Sequence, residues 1–514
     1  MGFLPRLGIY IFVIQLVNVV YAGALTLEKK ECQARQSTSS PDLTKLQTFS
    51  SKPRIVILTD LLNEPDDSMS LVRYLLYSNE FDTCGIVATT SRHLPNITHP
   101  EEATKIINAY GSVVDNLNSH VHPSIKYQSA DELLSLIHTG PPVYGRQAFD
   151  VPLSNGSQLI LDRLAESDNP LWVLAWGGTN TLAQALLHLE RTQSAEDAAK
   201  LRSRLRVYAI SDQDDTGNWI RYRYPDVFYI VSIHAYGDYY MATWIGIDGD
   251  FSPGTDFSIV RQPWLKEHIQ IGPLGAVYRD IVYGMEGDTP SYLGLIQNGL
   301  GSSEHPDWGS WGGRYNLISP DQPLWSDTAD TVIGEDGKSY RTNHATVWRW
   351  RRTFQNDFVT RMQWTLTSDF SNATHPAVVR VNGHLGPEPL IVPAGYNQCF
   401  AFDASETYDP DHPEDNSKLE FQWYQYGEPS FHLPGGLVTA LNIVPTSIPE
   451  VYGTLTSNES GFQNVTLGQK VEVSIPSLPE TATEKPDLHL ILQVRSKMAS
   501  FPVTRYQRII FRMA

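Results

Sequence analysis

Acidic and amide side chains crowd the stretch Thr59-Asp60-Leu61-Leu62-Asn63-Glu64-Pro65-Asp66-Asp67, directly after a short apolar run. Several hard oxygen donors converging on one point suit Ca²⁺, which binds carboxylates, amide oxygens and backbone carbonyls. A helix start explains part of the pattern: Asn63 as N-cap, Pro65 in the first helical position and acidic residues in the first turn complement the helix dipole. Capping leaves Asp60 unexplained, because a carboxylate at the end of a buried strand needs a partner. A metal ion is therefore expected there.

Three further segments carry chemistry-bearing residues. In Trp176-Gly177-Gly178-Thr179-Asn180, two glycines let the backbone approach a ligand and a helix start offers free amides. A tight turn capped by Asn180 is the competing reading. Ser211-Asp212-Gln213-Asp214-Asp215-Thr216-Gly217-Asn218-Trp219 is either a ligand loop or a solvated acidic loop with Asx turns. Glu286-Gly287-Asp288 precedes a short helical stretch, which Asp288 could cap. Glu304-His305-Pro306-Asp307-Trp308-Gly309-Ser310-Trp311 follows, and its two tryptophans, if exposed, make a sugar-binding wall beside acidic groups. No Gly-x-Ser-x-Gly elbow, His-Glu-x-x-His, Walker loop or dinucleotide fingerprint after the first strand occurs, which disfavours serine hydrolases, zinc proteases and nucleotide-phosphate enzymes.

These residues need elements to position them. Apolar, β-branched runs predict strands over 54–59, 85–90, 171–176, 205–210 and 227–231, and helical spacing predicts helices over 68–78, 100–110 and 181–189. Buried strands alternating with amphipathic helices make an α/β fold, a mainly parallel sheet with helices on both faces. Ligands then bind beyond the carboxyl ends of the strands, where the acidic segments fall. Past a polar linker at 369–376 the pattern changes to short alternating runs at 377–381, 398–402, 419–424, 470–473, 488–494 and 505–511, a β-sandwich. The expected organisation is a signal peptide at 1–24, an exposed arm at 25–52, an α/β domain at 53–370 and a sandwich at 371–514.

Composition narrows the partners. The 514 residues carry 39 Lys plus Arg against 57 Asp plus Glu, a net charge of −18 that repels phosphate backbones and anionic lipid. Nucleic acid is not an expected partner, nor is a membrane once the signal is cleaved; a homo-oligomer stays open. Arg6, the apolar run 7–20 and the small residues at 22–24 form a signal-peptide pattern. Sequons at Asn96, Asn155, Asn372, Asn458 and Asn464 fit a secreted, extracellular, N-glycosylated product. Cys32, Cys84 and Cys399 allow at most one disulfide within the chain and show no zinc-ligand spacing.

Asp60 with Asp66-Asp67, Gly178-Thr179-Asn180, Asn218 and Asp288 together resemble the calcium-dependent nucleoside hydrolases. Thr-Asp-x-x-Asn-Glu-Pro-Asp-Asp, the run 70–77, Ser-Asp-Gln-Asp-Asp-Thr-Gly-Asn-Trp and Gly-Asp-Thr-Pro-Ser-Tyr-Leu are similar to a secreted branch often labelled cellulose-binding protein. That resemblance implies a nucleoside-hydrolase-like fold over about 53–370, with the branch's C-terminal domain after it. It makes Asp60 a Ca²⁺ ligand and the base for a bound water, Asp67 a bidentate ligand, the Thr179 carbonyl another and Asp288 the closing one. Asp66, Asn63, Asn180, Asp214 and Asn218 would hold the sugar, with Glu304, Trp308 and Trp311 as the added wall.

Two departures from the nucleoside hydrolases stand out. Five residues separate Asp60 from the Asp pair where those enzymes have three, and Gly287 replaces the usual His before the last Asp. The leaving-group acid then falls to Glu286, Glu304 or His305. The expected function is secreted, calcium-dependent hydrolysis of a glycosyl bond, N-ribosyl or other glycoside, by a metal-held water. The alternative is a non-catalytic carbohydrate-binding protein for cellulose or plant-wall glycan. In the tail, Phe402-Asp403-Ala404-Ser405, Tyr408-Asp409-Pro410-Asp411 and Phe421-Gln422-Trp423 resemble polycystic-kidney-disease-type sandwich domains. There Asp409 and Asp411 are either a second Ca²⁺ site or a polar hairpin turn.

Overall fold

Strand β1 (Arg54–Thr59) is buried along its whole length, and its side chains divide between two cores. Ile55 and Ile57 join the layer that holds Met69, Leu71, Val72 and Leu75 of helix α1 (Asp66–Leu75) and Ile106 and Ile107 of α2 (Pro100–Gly111). Val56 and Leu58 face Leu159, Ile160 and Leu164 of α3 (Asn155–Glu166) and Leu182 and Leu186 of α4 (Asn180–Thr192). Period-two alternation thus feeds helices on both faces of the sheet. Truncating Ile57 to Ala would cost about 2–5 kcal/mol.

A computed structural model describes residues 42–235, 237–249, 254–430, 439–446, 454–477 and 486–513. The signal peptide, most of the N-terminal arm and Cys32 lie outside the described residues. The remaining strands of the first sheet are β2 (Asp82–Ala88), β3 (Ile137–Thr139), β4 (Leu171–Ala175), β5 (Leu205–Ala209), β6 (Phe228–Val231), β7 (Tyr315–Leu317) and β8 (Leu324–Asp327). They lie in the order β3-β2-β1-β4-β5-β6-β8-β7, and every pairing is parallel except β7 with β8. The chain runs outward from β1 in one direction, then returns to place β4 on its other side. That makes a switch point between β1 and β4, where a ligand crevice belongs.

The sandwich has a six-stranded sheet, in which Leu390–Ala394 pairs parallel with Thr504–Met513, and a three-stranded antiparallel sheet of Cys399–Asp403, Lys470–Ser474 and Asn442–Pro445. Phe402, Val471 and Val473 from the small sheet meet Trp423, Leu490, Leu492, Ile509 and Phe511 from the large one. The opposite face of its central strands does not face water. Tyr424, Tyr426, Phe462 and Tyr506 join the core that contains Trp311, Trp350 and Phe354 of the α/β part.

Everything from Asp42 onward accordingly forms one compact unit. The polar stretch at 369–376 is packed: Phe370 and His375 are buried, and His375 stacks on Phe370 and bonds His120 at 2.9 Å and Asp411 at 2.7 Å. Nor is the end of the arm free, because Gln47 donates to the Gly386 carbonyl at 2.9 Å and Ser50 to Glu388 at 2.6 Å. Among the described residues, no helix is long and apolar enough to cross a membrane.

Candidate metal centre

Asp60 follows the last residue of β1, Asp66 and Asp67 begin α1, and Asp288 lies in the loop before the short helix Pro290–Leu293. Asp66, Asp67 and Asp288 can each place a carboxylate oxygen within 4.8 Å of the others. Asp60 faces the same group. The Oδ2 atoms of Asp60 and Asp288 are buried with no hydrogen-bond partner. Orphaned buried carboxylate oxygens are costly, and several around one space fit a hard divalent cation with oxygen ligands.

The electrostatics agree. Burial raises the Asp60 carboxyl to about 6, with Glu64 adding repulsion and a bonded Ser91 hydroxyl pulling the other way. Burial also raises Asp66, to about 7, followed by repulsion from Glu64 and Asp60. Asp67 and Asp288 are pushed well above the usual carboxylate range, first by burial and then by the neighbouring carboxylates. Thr59 donates a hydroxyl bond to Asp67, the one neutral donor aimed at that side chain from β1. Glu64 belongs to this group on electrostatic grounds and was not singled out from sequence.

The loop after β4 closes over Asp60. A β-carbon at Gly177 would come within 2.7 Å of Asp60 Oδ1, and one at Gly178 within 2.4 Å of Asp214 Oδ2. Thr179 is buried beside them. Its carbonyl accepts the Ala183 N–H at 2.9 Å, the first bond of α4, leaving one lone pair for a ligand. Arg73 of α1 pairs with Glu286 at 2.8 Å, tying the helix that carries Asp66 and Asp67 to the loop that carries Asp288. Glu286 holds a φ of 56°, a left-handed conformation uncommon outside glycine.

Several residues expected at the ligand serve elsewhere. Asn63 is half-buried in the loop and is not the helix cap; Pro65 occupies that position and Asp66 opens the helix. Asp66 therefore stands with Asp67 in the carboxylate group. Asn180 is fully buried and spends its side chain on the scaffold, accepting from Thr89 at 2.8 Å and donating to Thr90 at 2.9 Å and the Val143 carbonyl at 2.8 Å. Asp214 caps two helices, accepting from Thr216 N at 2.8 Å and Asn180 N at 3.0 Å. Burial raises its carboxyl to about 6 against those bonds. Asn218 is exposed in the first turn of α5 (Thr216–Arg223).

The expected aromatic wall is not at the site. Trp311 is fully buried and donates to Tyr506 of the sandwich at 3.2 Å. Trp308 is half-buried, stacks on His305 at 4.0 Å and meets His489 of the sandwich edge-on. Glu304 pairs with Arg206, the second residue of β5, and lines a cleft of about 300 Å³ with Lys52, Arg54 and Trp172. That is the amino end of the strands, opposite the carboxylates. Of the three expected proton donors, Glu286 is paired with Arg73 and accepts from Tyr278, and Glu304 and His305 lie at the amino end of the strands, away from the carboxylates.

Four other side chains stand at the carboxyl ends. His93 follows β2, and His234, Tyr239 and Trp244 follow β6. Tyr239 packs on all three, at 6.0 Å, 5.4 Å and 6.2 Å respectively, and a β-carbon at Gly287 would touch both Trp244 and Asp66. His93 was reachable by the strand-end rule. The stretch around Trp244 carries no motif that points to it.

The sheet order and the carboxylate group define a nucleoside-hydrolase-like α/β protein. The chain belongs to the family described as "Cellulose-binding Sde182, nucleoside hydrolase-like domain", which matches residues 54–315, and "Cellulose-binding protein Sde0182, C-terminal domain" matches 399–513. A solved structure of a nucleoside hydrolase-related hypothetical protein from Saccharophagus degradans, associated with carbohydrate metabolism, is 28% identical. The likeness covers 90% of this chain and 100% of that one, with a TM-score of 0.70. The effector protein XOO4466 is 12% identical over 62% of this chain and 94% of its own, with a TM-score of 0.30. No curated protein matches the chain.

Proposed function

We propose that this is an exported, calcium-dependent hydrolase of glycosyl bonds acting on a carbohydrate. The observation that supports it most is the pair of buried, unpartnered oxygens, Asp60 Oδ2 and Asp288 Oδ2, within a group of five carboxylates. Asp60, Asp66, Asp67 and Asp288, with the Thr179 carbonyl, would hold the ion. When bound, calcium would orient sugar hydroxyls and a water and stabilise developing negative charge.

The chain's own residues supply the rest. Asp60 Oδ2 has no competing donor and takes the proton of the attacking water, while Asp66, half-buried at the rim, faces a sugar hydroxyl. The water oxygen joins the anomeric carbon as the bond to the leaving group breaks, and His93, exposed with Nε2 3.2 Å from the Tyr239 hydroxyl, returns a proton to that group. No covalent nucleophile is needed.

The test is reducing-sugar release by calcium-loaded and chelated protein over one panel of nucleosides and plant-wall oligosaccharides. Calcium-dependent release, lost in Asp60→Asn, supports the hydrolase. Silence across the panel with calcium bound, together with sedimentation on insoluble cellulose, supports a binding protein on the same scaffold, the reading favoured by the family's own description.

A further inference from the structure

Trp244 stands one residue's width from the carboxylates. A β-carbon at Gly287 would lie 2.9 Å from its ring atom Cζ3 and 2.9 Å from Asp66 Oδ2, so indole and carboxylate flank the same point of backbone. The indole is held from its far edge. Its Nε1 donates to Ser211 Oγ at 3.2 Å, Ser211 Oγ bonds His234 Nε2 at 2.8 Å, and His234 Nδ1 bonds the Ala235 carbonyl at 2.8 Å. A carbonyl only accepts, so Nδ1 carries a proton, and the bonds tie Trp244 through Ser211 and His234 to the Ala235 carbonyl. Tyr239 braces the ring from the side at 6.2 Å, and Trp244 stays half-buried.

We infer that Trp244 is the stacking platform for a pyranose ring whose hydroxyls face the Asp66, Asp67 and Asp288 carboxylates; the inference rests on the carbohydrate reading above. Pyranoses carry hydroxyls around the rim and weakly positive C–H groups on the faces, which suit the negative π-face of an indole. Carboxylates and bound cation take the rim; the indole takes a face. Its only polar atom is engaged by Ser211, so the ring offers a ligand contact without a polar group to desolvate. Gly287 is what permits the approach, because any side chain there would separate ring from carboxylate.

The inference is tested by titrating calcium-loaded, full-length protein with cellohexaose and with inosine, in the wild type, Trp244→Ala and Trp244→Phe, alongside direct calcium titrations of each. Expected are cellohexaose binding in the wild type, a loss of about tenfold or more in Trp244→Ala, equal to about 1.4 kcal/mol, and retention in Trp244→Phe. Calcium affinity should stay within about twofold in both variants, since the indole is not a ligand. Undiminished cellohexaose binding in Trp244→Ala overturns the inference alone. A wild type that binds calcium and no cellohexaose overturns it together with the carbohydrate reading. Inosine binding that depends on Trp244, without cellohexaose binding, overturns the pyranose in favour of a nucleobase.

Discussion

Asp60, Glu64, Asp66, Asp67 and Asp288 repel one another, so on the proposed calcium reading neutralising one should have opposite consequences with and without the ion. In chelator, Asp288→Asn should raise the melting temperature by about 1 °C, as about 1 kcal/mol of repulsion is relieved in a single unit of this size. In excess calcium the same variant should lose the rise that the wild type gains, which amounts to about 4 kcal/mol at a thousandfold excess over Kd. Scanning calorimetry in both conditions reads the two signs. Gly287→Ala should weaken binding of calcium and of oligosaccharide together, because the new methyl pushes Asp66 and Trp244 apart; calorimetric titration of both ligands checks it. At this scale Asp60, Asp66 and Asp67 were legible because they follow the carboxyl end of β1, and Asp288 was singled out in its Gly-Asp-Thr-Pro-Ser run, far from any strand end; Glu64 was not. Glu304, Trp308 and Trp311 were misplaced for a physical reason. A Gly- and Trp-rich loop reads alike whether its indoles face a sugar or anchor a buried interface, and the sequence does not say which end of the sheet the loop crosses.

Helix α1 and the Asp288 loop are joined by a buried ion pair, and breaking such a pair strands the remaining charge. Glu286→Gln should cost about 3–5 kcal/mol in urea unfolding and also weaken calcium binding, by loosening Asp288 relative to Asp66 and Asp67. His120 offers a second handle. It stacks between Trp364 and His375, and burial lowers its imidazole to about 4. The folded value lies below the unfolded value of about 6.5, so the fold binds fewer protons in that window. His120 then contributes its full stability above about pH 6.5 and loses it as pH falls toward 4, a total of about 3 kcal/mol. Relative to His120→Gln, which keeps every other titrating group including the raised carboxylates, the wild type should lose urea midpoint from pH 7 to 5. Strands with continuous apolar runs, such as β1, β4 and β5, were legible within a residue or two. The strands β3, β7 and β8 were not, because three or four residues such as Ile137-His138-Thr139 hold no run to recognise; neighbours pair them.

Across the whole molecule, the central strands of the large sandwich sheet are buried on both faces, so the intact protein should unfold in one cooperative transition by calorimetry. A chain ending after residue 376 should aggregate or lack a transition, since removing the sheet exposes Trp311, Trp350 and Phe354 as one apolar patch. Two separable domains were the natural reading of the sequence. The second buried face is lined in part by Gln493, His489 and Arg508, whose polarity passes for a solvent face. Arg508 shows how such a residue is accommodated: it donates to the carbonyls of Leu300, Trp308 and Gly309 at 2.7–3.0 Å.

That closure has a consequence during synthesis. Tyr506 and Arg508 are translated long after the tryptophans and carbonyls they cover. A ribosome that has completed Trp364 has already made every strand of the α/β sheet, yet Trp311 and Trp350 lack the cover of Tyr506 until the strand Thr504–Met513 emerges. Nascent chains in that interval are the natural clients of chaperones, and the pace of translation through the sandwich sets how long they must be held.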